Sequence, residues 1–168
     1  MKEIILILLL TCGCVSIPEA GIVTEVIDGD TFKLSTGERV RLLCINTPEN
    51  GEPYFKEAKD FLENSISGKI VRLEVDKTNL DDYRRLLRYV YVDDILINEV
   101  ITKEGLAEVL IIKPNIKHCD KIKLAEKIAQ EQKKGIWSVN HAGYPEDTLM
   151  FQTAVVTDKS KSHHVALQ

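Results

Sequence analysis

The sequence predicts a mainly β fold of the α+β class: a small five-stranded barrel with about three helices packed on one side. Short runs rich in Val, Ile, Thr and Phe recur through the first part of the chain, separated by tight-turn signals such as Asp28-Gly29-Asp30. Two longer stretches instead space their apolar residues as a helix does. The chain has 168 residues, 44% apolar and 29% charged, which suits one soluble globular domain with its own core.

Strands are expected over residues 21–27 and 31–34, then, after a turn at 35–38, over 39–45, which together make an antiparallel meander. Pro48 ends the third strand, and the loop 50–53 leads into a helix over 54–67. Phe55, Ala58, Phe61, Leu62 and Ile66 share one face of that helix, and Gly68 stops it. Residues 69–75 alternate charged and apolar as a half-buried strand does, and 87–92 supply the fifth strand, with 95–97 after the Asp93-Asp94 turn. Asn98 reads as the N-cap of a short helix to Glu104. The apolar run 109–112 is stopped by Pro114, and a longer helix is expected over 117–134, with Gly135 as its cap.

The ends differ in kind from this domain. Residues 1–14 carry the run IILILLL and then Cys12-Gly13-Cys14, too short to span a bilayer as a helix but suited to the apolar part of an export signal. Cys14, after a glycine, is expected to carry a lipid as first residue of the mature chain, with Cys12 as the alternative. That would place the protein on the outer face of the cell membrane, whereas plain cleavage would release it as a secreted protein. Residues 15–20 form a linker, 21–138 the domain, and 139–168 a tail without periodicity, expected to be extended or disordered; its apolar patch 149–156 could dock as a strand. Cys44 and Cys119 either pair, or Cys44 is a buried free thiol.

The net charge of −4 argues against a protein built to coat duplex nucleic acid, although 103–134 holds eight lysines against five acidic residues. It leaves room for a compact anion site. Between Val26 and Glu49, two strand-like runs carry Asp28, Asp30, Arg41, Asn46, Thr47 and Glu49 at their ends. Taken singly, the aspartates are a hairpin turn, Arg41 is a strand arginine, and the arginines at 84, 85 and 88 belong to a charged loop. Taken together, they cover phosphoryl transfer. It requires oxygens for a metal, cations for the phosphate, and a base for water, roles that Asp30 and Asn46, Arg41 and Arg85, and Glu49 can fill. The planar arginine fork suits the phosphate.

The segments VIDGDTFKL, RLLCINTPE, DDYRRLLRYVYVDD, ILINEVI, EGLAEV, KPN and GIWS, in this order within residues 21–138, resemble the thermonuclease family. The resemblance implies an OB-fold barrel and a calcium-dependent nuclease that hydrolyses DNA and RNA phosphodiesters to 3′-phosphate products. It implies Asp30 and the Thr47 carbonyl as metal ligands, Arg41 and Arg85 as phosphate-binding catalytic residues, and Glu49 as the residue that orients or deprotonates water. Asn46 falls where the family has a second metal-binding aspartate, so the metal should be held more weakly. Arg84 stands where a glycine is expected, which leaves Arg84 as a rival to Arg85. Leu110 and Ile112 replace two nucleotide-flanking tyrosines, so stacking on bases should be poorer. The expected partners are single-stranded DNA and RNA, with Ca2+ as cofactor, bound by a monomer. The rival from another class is a non-catalytic OB-fold module that binds nucleic acid or another ligand. His118, His141, His163 and His164 carry no role in either reading.

Overall fold

The computed structural model describes residues 19–138. The leader with Cys14, the first linker residues and the whole tail, with the patch 149–156, lie outside the described residues. Within them run β1 (Ala20–Val26), β2 (Thr31–Leu34), β3 (Arg39–Leu42), β4 (Ile45–Asn46) and α1 (Phe55–Ile66). There follow β5 (Ile70–Glu74), β6 (Leu86–Val92), β7 (Ile95–Leu96), α2 (Ile97–Lys103), β8 (Glu108–Val109), α3 (Cys119–Glu131) and a short 3-10 turn at Gly135–Trp137.

The meander β1-β2-β3 is antiparallel, with Phe32 opposite both Val26 and Val40. β5 pairs with β1, β6 pairs with β5, and β6 then lies parallel to β3, with Val40 opposite Leu86 and Arg41 opposite Leu87. That last pairing closes a barrel of five strands with no free edge between β3 and β6, which is the expected OB-type fold. Period-two patterning turns Val23, Phe32, Leu34, Val40, Leu42, Val71 and Leu73 inward, where all are buried. Ala58, Leu62 and Ile66 of α1, Ile101 of α2 and Ile122 of α3 complete the core, each large apolar side chain contributing about 1.5–3 kcal/mol. Gly105 and Gly135 let α2 and α3 end against each other: a Cβ on Gly105 would lie 2.3 Å from the Lys134 carbonyl oxygen.

Three expectations are corrected. The third strand stops at Leu42, because Cys44 takes a left-handed conformation (φ 63°), and the chain resumes as the two-residue β4 paired with β8. Cys44 is therefore not a strand residue, nor a free thiol: it is joined to Cys119 at the start of α3, with Cα atoms 5.5 Å apart. Asn98 does not cap a helix from outside. It lies inside α2, fully buried, where its amide donates to the Leu43 and Arg88 carbonyls and its oxygen accepts from Val90 N–H. The long helix is shorter than its sequence pattern and ends at Glu131, with Lys133 left-handed just beyond.

Candidate active site

The turn between β1 and β2 aims Asp30 into the barrel mouth rather than into solvent. Asp28 Oδ1 accepts the Asp30 N–H at 3.0 Å, an Asx-type turn that sets the backbone. Gly29 is required by close approach, since a Cβ there would lie 2.8 Å from both Ala58 Cβ and Thr47 Oγ1. The buried Asp30 carboxylate is then surrounded: Thr31 Oγ1 donates to Oδ1 at 2.9 Å, and the Thr47 N–H and hydroxyl donate to Oδ2 at 3.1 and 3.2 Å. Arg41 Nη2 reaches the same Oδ2 at 3.0 Å. Burial nevertheless dominates and pushes the Asp30 carboxyl up to about 6, with Arg41 acting against it and Asp28 adding to it. Burial likewise lowers Arg41, so this ion pair is held at an electrostatic cost to both partners.

Arg41 also donates to Asn46 Oδ1 at 3.3 Å and to the Leu42 carbonyl at 2.8 Å. Asn46 Nδ2 in turn points to Glu108 Oε1 at 3.5 Å, across the β4-β8 pair. From the other side Arg85 comes in. Its Nη1 lies 3.5 Å from Thr31 Oγ1, while its Nε donates to Asp81 Oδ2 at 2.6 Å. One polar chain therefore runs Asp81, Arg85, Thr31, Asp30, Arg41, Asn46, Glu108.

The loop before β6 explains the choice between the two arginines. Arg84 is exposed and left-handed (φ 61°), which is why a glycine would be expected there, and its side chain joins none of these contacts. Arg85 is half-buried, and Asp81 accepts both its backbone N–H and its Nε. A third arginine was missed by sequence reasoning. Arg88 is fully buried, and its guanidinium donates to the Asn79 carbonyl and side-chain oxygen and to the Leu87 carbonyl, tying this loop to β6. Its strand position gave no sign of that role. Thr31, which bridges Asp30 to Arg85, and Glu108, which holds Asn46, were also missed; the first was legible as the last residue of DGDT.

Glu49 stands apart. It is exposed, its N–H is accepted by Glu52 Oε2 at 2.7 Å, and it bears on the site through its charge, which acts on Arg41. A cleft of about 400 Å³ opens beside these groups, lined by Arg41, Arg85, Tyr83, Leu110, Ile112 and Lys113. Its walls at Leu110 and Ile112 are aliphatic and exposed.

The donor set fits a hard, oxygen-seeking cation. Asp30 Oδ2 and Asn46 Oδ1 converge on a single cationic nitrogen, Arg41 Nη2, at 3.0 and 3.3 Å, and both are oxygens of the kind calcium takes. The charge is thin, for among the described residues no three His, Cys, Asp or Glu side chains gather as one metal-holding group.

A family model described as staphylococcal nuclease homologue matches residues 39–139, a span that contains Arg41, Asn46, Thr47, Glu49 and Arg85, with Asp30 just ahead of it. The chain is 41% identical over 125 residues to the thermonuclease of Staphylococcus hyicus, covering 69% of this chain and 74% of that protein. It is 39% identical over 128 residues to the thermonuclease of Staphylococcus intermedius, covering 71% and 76%. With endonuclease YncB of Bacillus subtilis (strain 168) it shares 38% identity over 125 residues, 68% of this chain and 59% of that protein.

Proposed function

Since the chain belongs to the staphylococcal nuclease homologue family, we propose that it is a calcium-dependent nuclease which hydrolyses single-stranded DNA and RNA to 3′-phosphate products. The observation that carries this reading is the convergence of Asp30, Asn46, Arg41 and Arg85 through one hydrogen-bonded chain at the mouth of one cleft. Asp30, Asn46 and the Thr47 carbonyl are the residues that would hold calcium. The ion, when bound, supplies positive charge that polarises the phosphate.

Arg41 and Arg85 bind the phosphate oxygens from two sides and stabilise the charge that builds on them as phosphorus becomes five-coordinate. Glu49 orients a water molecule and takes its proton as the oxygen attacks phosphorus. The bond from phosphorus to the 5′-oxygen breaks, the leaving oxygen is protonated, and the phosphate stays on the 3′ side. Asp81 holds Arg85 in its place, so the loop need not order itself anew for each turnover. The aliphatic walls at Leu110 and Ile112 confine a nucleotide by apolar contact rather than by ring stacking.

An assay on single-stranded DNA, with Ca2+ and with EDTA, tests the reading. Chelator-sensitive release of 3′-phosphate ends is expected. In the same series, Asn46→Asp adds a full negative charge and should bind Ca2+ about tenfold more tightly by calorimetry. Binding of the strand without any hydrolysis would replace the enzyme by the non-catalytic OB-fold module.

We also propose that the leader delivers the chain across the membrane and that Cys14 carries a lipid that anchors it on the extracytoplasmic face. Expressed from its own leader, the wild type should partition into detergent phase and Cys14→Ala into the aqueous phase. Equal partitioning of the two would remove Cys14 as the anchor.

A further inference from the structure

The β2-β3 ribbon that carries part of the site continues beyond it. Its register sets Thr31 opposite Arg41 and, one step further out on the same face, Lys33 opposite Arg39. Those two steps lie ~6.6 Å apart along each strand. Lys33 and Arg39 are both exposed, and like charges directly opposite across a strand pair repel.

Their charges are uncommitted. Glu25 sits opposite Lys33 on β1, yet among the described residues no carboxylate lies within ion-pair distance of Lys33 or Arg39. Arg41, Arg72 and Arg85 each rest on a carboxylate. Arg39 is also held toward the cleft. Its Nη2 lies 3.5 Å from the Tyr83 carbonyl, at the head of the loop that presents Arg85, and Val40 beside it is fully buried and fixes the strand.

We propose that Lys33 and Arg39 form a second phosphate site, which takes a backbone phosphate neighbouring the scissile one on a bound single strand. The proposal rests on the reading of the Asp30-Arg85 cluster as a nuclease site. It accounts for a repulsive pair that the fold itself does not need. In a chain of net charge −4, it supplies a local cationic track where the strand leaves the cleft. Longer strands then bind better than a single nucleotide, because only they reach the outer pair.

The test uses the full chain in EDTA, a labelled oligothymidylate of about eight nucleotides, and thymidine 3′,5′-bisphosphate as the short probe. For Lys33→Gln/Arg39→Gln, the slope of log affinity against log salt on the oligonucleotide should fall by about 1.4, at about 0.7 for each lost contact on a single strand. Affinity for the bisphosphate should stay unchanged, as should the melting temperature. Lys33→Arg/Arg39→Lys keeps both charges and should keep the slope. An unchanged slope in the glutamine variant, with wild type binding normally, overturns the second site alone. Equal loss on both probes does the same, since it would mean a general structural effect. A wild type that binds neither probe overturns the nuclease reading with it.

Discussion

Replacing Arg85 by alanine is expected to lower turnover on single-stranded DNA by roughly three orders of magnitude while leaving the barrel folded. The argument is local. Arg85 is the member of the site that comes from outside the β2-β3 ribbon, and it faces the Asp30-Arg41 pair through Thr31 at 3.5 Å. Removing it takes away a preorganised cation at the point where negative charge develops. What remains is Asp81, half-buried and relieved of its partner, but still accepting the backbone N–H groups of Tyr83 and Arg85. The loop should therefore keep its shape. A melting curve within a few degrees of wild type, together with the lost turnover, is the expected pair of results. Turnover within a few-fold of wild type would remove Arg85 from catalysis, and then Arg84→Ala would be the variant to examine.

Loss of the Cys44–Cys119 bond is expected to have the largest effect on stability. The two residues are 75 apart in sequence, so the crosslink removes about 4 kcal/mol of chain entropy from the unfolded state in the loop-closure description. That is a large share of the roughly 5–15 kcal/mol by which such a domain is stable. Cys44→Ala/Cys119→Ala, or wild type held in reductant, should melt roughly 10–20 °C lower than the oxidised protein. The same bond bears on the site. Cys44 stands in the left-handed turn two residues before Asn46, so Asn46 and Thr47 are placed by a segment pinned to α3. Equal melting temperatures in oxidising and reducing buffer would show that the bond contributes nothing to the folded protein in solution.

The short strands, their turns and the helices were legible because burial patterns and turn chemistry are local properties, readable over a few residues. The bond between Cys44 and Cys119 was not legible, since chain separation says nothing about distance in space until the barrel closes. Asn98 misled for a related reason. An asparagine at a helix start resembles a cap, but here its amide satisfies buried backbone groups of Leu43, Arg88 and Val90, and those come near it only in the folded barrel.

By itself the sequence determined the barrel class, the order of the strands and the family, together with the candidate set Asp30, Arg41, Asn46, Thr47, Glu49 and Arg85. Side-chain type and spacing decide those, because pleat and helix periods act on neighbours. Only the tertiary structure decided how these residues meet: that Arg41 lies on both Asp30 and Asn46, that Thr31 links Asp30 to Arg85, and that Arg85 rather than Arg84 turns inward. Those contacts cross from one element to another, and the parallel pairing of β3 with β6 brings them together. No stretch of the chain contains that pairing, because its two strands are joined by a helix, another strand and a long loop before hydrogen bonds close the ring.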